Sequence, residues 1–224
     1  MKILNSLLSL PIAYLLGSLP SAIWMGKIVN GKSYDIRDYG SKNAGLTNAF
    51  RVLGWKPALP VVAVDLCKGF FAVTIAKLMN DASIAAGGAD YALWLPLCAG
   101  ILAILGHSFT CFAGFRGGKG VLTAFGVFLA VAPVTALLSF AVWSLLTFAT
   151  KYVSVGSLGA CATLAGLSAW GFFSPSTYPH DQISLGVLVL SWIVAVFIVV
   201  KHRANIVRLM NGTENGFGSK RKKV

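Results

Sequence analysis

The chain has 224 residues, of which 56 % are hydrophobic and 12 % charged, with a formal net charge of +12. Soluble globular chains average about 25 % charged residues, so this composition excludes a water-soluble domain and points to lipid as solvent. The 19 Lys and Arg lie in short segments between apolar runs. That distribution argues against nucleic acid and for anionic membrane lipids or anionic substrates as partners.

Seven apolar stretches follow in chain order: Ile3 to Met25, Pro57 to Met79, Tyr91 to Gly106, Gly120 to Val131, Pro133 to Ala149, Val155 to Phe173 and Ile183 to Val200. They predict an all-α integral membrane protein with about seven transmembrane helices, in a single polytopic domain over residues 1–224. The first opens on Met1-Lys2 like a secretory leader. It runs through Gly17-Ser18-Leu19-Pro20 into further apolar sequence, which predicts an uncleaved helix. The fourth is short for a bilayer, which needs about 20 residues. Either it is a half-length or tilted helix, or it starts nearer Arg116.

With seven spans, the segments Lys27–Lys56, His107–Lys119, Thr150–Ser154 and the basic tail from Lys201 share one side. They hold 16 of the 19 Lys and Arg. The positive-inside rule then places these segments and the C-terminus in the cytoplasm and the N-terminus outside. Lys220-Arg221-Lys222-Lys223 reads as a solvated or headgroup-binding end. Asp65 and Lys68 fall inside the second apolar stretch, at i and i+3. Intramembrane charges are functional candidates by default, but a structural ion pair anchoring that helix is the preferred reading. Cys67, Cys98, Cys111 and Cys161 share no CxxC spacing and read as small apolar side chains.

The residues suited to chemistry gather in the segments of that one side. Gly40-Ser41-Lys42-Asn43-Ala44-Gly45-Leu46-Thr47-Asn48-Ala49-Phe50-Arg51 combines neutral hydrogen-bonding side chains with a guanidinium fork that matches phosphate. The alternative is a surface helix capped by Ser41. Gly114-Phe115-Arg116-Gly117-Gly118-Lys119-Gly120 leads straight into an apolar helix. A flexible loop at a helix start offers unpaired N–H groups and a favourable dipole to an anion, and Lys119 adds charge. It is not a P-loop, because Ala113 and Gly120 stand where that motif needs Gly and Ser or Thr. A basic loop gripping headgroups is the alternative. Ser154 and Ser157 open a helix at the same face, and His202 and Asn205 share a helical face after the last span. His107 opens its segment and is ambiguous. The chain has no Gly-x-Ser-x-Gly elbow, no HExxH and no His-x4-Asp pair. No metal site and no cofactor are expected. Together the segments suggest a site for phosphate-bearing, lipid-linked substrates.

Three motifs occur in order: Ser41-x-Asn43-x-Gly45-x-Thr47-Asn48-x-x-Arg51; Gly106-His107 followed by Gly117-Gly118-Lys119-Gly120-Val121; and His202-Arg203-x-Asn205-Ile206-x-Arg208-Leu209. With Asp65-x-x-Lys68-Gly69, this pattern resembles the bacterial acyl-phosphate-dependent glycerol-3-phosphate acyltransferases over residues 17–214. Two departures stand out. Thr110 and Cys111 occupy a stretch where the family usually has Pro, and the loop Ser174 to Asp181 is longer than usual.

The resemblance implies transfer of an acyl group from acyl phosphate to the 1-hydroxyl of sn-glycerol 3-phosphate, giving lysophosphatidic acid and inorganic phosphate. That is the first acylation of phospholipid biosynthesis, in the bacterial inner membrane with the active site facing the cytoplasm. An upstream enzyme would form the acyl phosphate. The resemblance assigns Ser41, Asn43, Gly117, Gly118, Lys119 and Gly120 to acyl phosphate, and Arg51, Ser154, Ser157, His202 and Asn205 to glycerol 3-phosphate. Lys119, His202, Asn205 and Ser41 become the catalytic group, and Gly45, Thr47, Asn48 and His107 support them. The rival readings are a transporter for a phosphorylated solute, whose site would lie near the bilayer midplane, and a structural membrane protein, which needs no Gly-Gly-Lys-Gly.

Overall fold

A computed structural model describes residues 6–92, 94–178 and 181–216. The sequence readings for Met1-Lys2, His180 and Lys220–Lys223 lie outside them. Among the described residues every regular element is helical. The α-helices are α1 (Ser9–Gly17), α2 (Ser21–Asn30), α3 (Leu46–Leu53), α4 (Trp55–Ala85), α5 (Leu95–Ser108), α6 (Val121–Val131), α7 (Pro133–Thr150), α8 (Val153–Phe173), α9 (Leu185–Lys201) and α10 (Arg203–Met210).

Each predicted apolar stretch is helical, but the lengths differ from the expectation. Among the described residues, five stretches are long and apolar enough to cross a membrane: Ser9–Asn30, Trp55–Ala85, Leu95–Ala113, Pro133–Thr150 and Val153–Phe173. Helix α9 reaches that length only with α10, from which it is bent by 57°. Helix α6 has 11 residues, or about 16 Å at 1.5 Å per residue, roughly half the hydrocarbon thickness. It starts at Val121, well past Arg116, because Gly120 holds φ +83° at its N-cap and the preceding glycines give no helical turn.

The first span is two helices. Pro20 has no N–H to continue the ladder, so the chain breaks over Ser18-Leu19-Pro20 and restarts at Ser21. The carbonyls freed by the break are used. Leu19 O accepts from Lys68 Nζ at 3.1 Å, and Ser18 O accepts from Thr110 Oγ1. Thr110 thus takes the position where Pro was expected and ties its loop to the first span. It also caps the following turn by accepting from Phe112 N at 3.2 Å.

In lipid the helices gain little from hydrophobic exclusion, so close backbone approach carries their packing. Gly69 of α4 lies against the Thr123 carbonyl, and Gly126 of α6 lies against the Leu66 carbonyl. A Cβ at either would strike backbone oxygen, so Gly126→Ala forces α4 and α6 apart at a cost of about 1–3 kcal/mol. Phe128 and Val127 of α6 are fully buried in the resulting core, while Phe71, Leu145 and Trp192 face outward as lipid-solvated side chains should. At the opposite membrane face, Asp181 caps α7 by accepting from Thr135 N at 2.6 Å and Val134 N at 3.2 Å.

Candidate active site

One cavity of about 520 Å³ collects the three motifs. Its polar end is lined by Ser41, Asn43, Gly45, Thr47, Arg51, His107, Lys119, Gly120, Ser154, Ser157, His202 and Asn205. Its other end is apolar, between Val62, Phe125, Phe128, Phe140, Trp143, Leu164, Val194 and Ile198 of α4 and α6–α9. Leu164 lies ten residues along α8 from Ser154, so the apolar part runs about 15 Å into the bundle.

Three residues expected at the site do not line this cavity. Asn48 is fully buried and structural. Its amide donates to Ile36 O at 3.1 Å and Tyr39 O at 3.0 Å, and its oxygen accepts from Ser41 N at 2.8 Å. Gly117 and Gly118 use their N–H groups within the protein. Gly117 N donates to Ser108 O at 3.2 Å and Gly118 N to His107 O at 3.1 Å. Their role as N–H donors to a phosphate is therefore corrected: they are the residues that let the loop lie flat on His107. A Cβ at Gly117 would strike the His107 carbonyl, and one at Gly118 would strike His107 Nε2. Lys119 and Gly120 remain at the cavity wall, followed by the orphan N–H groups that open α6.

The segment before α3 also departs from its expectation. The helix is capped by Gly45, so Ser41 is no N-cap. Gly40 and Lys42 take φ of +61° and +58°, which turns the chain and leaves Ser41 and Asn43 at the cavity. Arg51, in the last turn of α3, is half-buried there, and that burial pulls its guanidinium below its ordinary pKa.

The bend between α9 and α10 carries the third motif inward. His202 sits at the bend, where its Nδ1 meets Ile198 O at 2.8 Å. A carbonyl can only accept, so Nδ1 carries the proton and the neutral ring keeps a lone pair on Nε2. Asn205 Oδ1 accepts from Lys119 Nζ, and its Nδ2 donates to Glu214 Oε1 at 2.6 Å. Glu214 also accepts from Ser154 Oγ at 3.1 Å and from Arg208 Nε at 2.7 Å. Ser157 lines the cavity but donates to Val153 O. Burial pushes the Lys119 ammonium down to about 8; Glu214 opposes the shift, and Arg208, Lys201 and Arg51 add to it.

Sequence reasoning passed over Glu214 and Arg208 as site residues. The available signal was that Glu214 is a lone acid in a basic tail. The Asp65–Lys68 pair is confirmed, at 2.8 Å and almost fully buried, but it is part of a larger group. Asp65 Oδ1 also accepts from Ser21 Oγ at 2.7 Å and stands 3.6 Å from His107 Nδ1.

This geometry describes a membrane-integral protein with a cationic, hydroxyl-rich pocket continuous with an apolar bore. Comparison with known proteins narrows the class. The family model described as glycerol-3-phosphate acyltransferase matches residues 7–212. The glycerol-3-phosphate acyltransferase of Chlorobaculum tepidum is 42 % identical, over 93 % of this chain and 96 % of the relative. That of Fusobacterium nucleatum is 41 % identical over 92 % and 95 %. The crystal structure of PlsY, an integral membrane glycerol 3-phosphate acyltransferase, in its glycerol 3-phosphate form superposes with a TM-score of 0.75 at 35 % identity, covering 95 % of this chain and 96 % of that one. Its lysophosphatidic acid form gives 0.74 at 34 %, over 95 % of each chain. The chain belongs to the glycerol-3-phosphate acyltransferase family and is a multi-pass membrane acyltransferase.

Proposed function

We propose that this enzyme transfers an acyl group from acyl phosphate to the 1-hydroxyl of sn-glycerol 3-phosphate, at the cytoplasmic face of a bacterial inner membrane. The observation that carries the reading is the two-part lining of this cavity: Arg51, Lys119 and Arg208 at one end and an aromatic and aliphatic bore at the other. A donor with a phosphate head and an acyl tail fits both parts at once. The relatives' names and the two ligand forms of PlsY support glycerol 3-phosphate as acceptor and lysophosphatidic acid as product.

In the step, the substrate hydroxyl oxygen attacks the acyl carbonyl carbon. The new ester C–O bond forms, the C–O bond to phosphate breaks, and the hydroxyl proton ends on the released phosphate. Acyl phosphate is a mixed anhydride with a good leaving group, so the protein's work is positioning and charge stabilisation. Lys119 and the amino end of α6 hold the leaving phosphate. Arg51, Ser154 and Asn205 hold glycerol 3-phosphate, with His202 Nε2 and Ser41 beside the reacting hydroxyl. The placement of the polar pocket at one end of the helices, rather than at mid-bundle, favours this chemistry over transport. An acyl-phosphate-forming enzyme acts upstream.

The test is purified protein in detergent with palmitoyl phosphate and glycerol 3-phosphate. Phosphate release that needs both substrates is expected, and palmitoyl-coenzyme A should not replace the donor. Equal rates with both donors would overturn the donor assignment.

A further inference from the structure

The chain leading to the Gly117–Gly118 step is exposed at Gly114, Phe115 and Arg116 and is held there by Arg37, whose Nη1 donates to Ala113 O at 2.8 Å and to Arg116 O at 3.0 Å. The step itself is supported from beneath. Gly117 lies on the His107 carbonyl, and Gly118 lies on the His107 ring at Nε2, with the Ala44 carbonyl on its other flank. The two N–H groups donate to Ser108 and His107. The ring of His107 is thus the floor on which the loop rests, and Lys119 is the next residue.

What orients that ring is its other nitrogen. His107 Nδ1 is buried, has no hydrogen-bond partner, and faces Asp65 Oδ1 at 3.6 Å. Asp65 is itself fixed by Ser21 Oγ and Lys68 Nζ, and Lys68 by Leu19 O at the break of the first span. Helices α2 and α4 and the break before α2 therefore determine where the carboxylate stands. A buried carboxylate facing a buried imidazole nitrogen favours the tautomer with hydrogen on that nitrogen and resists rotation of the ring.

We infer that His107, oriented by Asp65, is a positioning residue for the acyl transfer: it sets the height of the Gly117–Gly118 step and through it the place of Lys119 and the α6 amino end. The inference rests on the proposed reading of Lys119 as a phosphate ligand. A misplacement of about 1 Å in such a contact costs on the order of a hundredfold in rate. The acceptor's Arg51 stands on α3, in the segment whose Ala44 carbonyl also meets Gly118.

The experiment compares His107→Leu, which fills the space without a polar nitrogen, with His107→Gln, which keeps a polar end, and adds Asp65→Asn in both the native and His107→Leu backgrounds. His107→Leu should raise the KM for palmitoyl phosphate about tenfold and lower kcat, leaving the KM for glycerol 3-phosphate within about twofold. His107→Gln should recover part of both. A mere loss of folded protein lowers apparent kcat and moves neither KM. In the KM for palmitoyl phosphate and the exchange at 117–120, Asp65→Asn should add little once His107 is Leu, while the loss of Lys68's buried partner lowers yield in both backgrounds. Amide hydrogen exchange at 117–120, measured without substrate, should rise in His107→Leu and stay low elsewhere. Normal KM values with unchanged exchange, or fully additive effects of the two substitutions, would overturn the inference. Raised exchange in His107→Leu with both KM values unmoved would instead show that the loop is held as described and that Lys119 is not the phosphate ligand.

Discussion

Lys119 and Asn205 are joined by a side-chain hydrogen bond, ammonium to amide oxygen, between residues 86 apart in sequence. Asn205 in turn donates to Glu214, so one amide links the loop before α6 to the tail after α10. Removing a hydrogen bond to a charged group costs about 1.5–3 kcal/mol, roughly tenfold to over a hundredfold in rate constant. Lys119→Ala should chiefly lower kcat, because the ammonium meets charge that develops on the leaving phosphate. Asn205→Ala should also lower kcat, to a lesser degree, and raise the KM for glycerol 3-phosphate. The double variant should be little worse than Lys119→Ala; additive losses in steady-state kinetics would show that the two act independently.

Arg51 is proposed to serve the other phosphate. Arg51→Ala should raise the KM for glycerol 3-phosphate by about tenfold or more, at little change in the donor KM. Arg51→Lys should stay impaired, because an ammonium cannot reproduce the guanidinium fork. Near-normal kinetics in both variants, at normal yield, would remove Arg51 from the site. A shift confined to the acyl-phosphate KM would exchange the two pockets.

Glu214 sets a pH limit. The Lys119 ammonium, pushed down to about 8, is present below that pH and lost as pH rises through it. The kcat profile should therefore fall on the alkaline side near 8. Glu214 favours the ammonium, so Glu214→Gln should move this limb to lower pH while keeping an oxygen for Asn205 and Ser154. An alkaline limb that stays in place in Glu214→Gln would mean that another group governs it.

Position 42 tests orientation. Lys42 is exposed and sits between the cavity-lining Ser41 and Asn43. In a variant lacking Cys67, Cys98, Cys111 and Cys161, a cysteine at 42 should resist impermeant maleimide in intact cells and react once the membrane is opened. Labelling from outside would sink the proposed cytoplasmic site.

The apolar stretches were legible because lipid demands long apolar helices and little else competes with that signal. The motifs were legible as clusters, since Ser, Asn, Arg and Gly-Lys have few other uses between spans. What escaped was anything set by backbone geometry across distance. Gly117 and Gly118 read as phosphate donors until their N–H groups are seen to bond Ser108 and His107. Asn48 read as a site residue beside Ser41, but its side chain folds inward to three backbone groups. Glu214 offered only its isolation as a lone acid in a basic tail; its importance appears when α10 and the turn after it bring it to Ser154, 60 residues away.

The two-part cavity has a consequence for the direction of the proposed reaction. Inorganic phosphate departs into water, while the acylated product retains a chain whose every methylene favours the hydrocarbon by about 0.8 kcal/mol. The bore lies among α6–α9, and α7–α9 carry exposed apolar side chains suited to lipid, so the acyl chain is already on the hydrocarbon side of the site. The two products thus separate into different phases as they leave. Reversal would require a phosphate and a membrane-borne ester to meet again at one point on the boundary, so phase separation acts as a ratchet on the forward step.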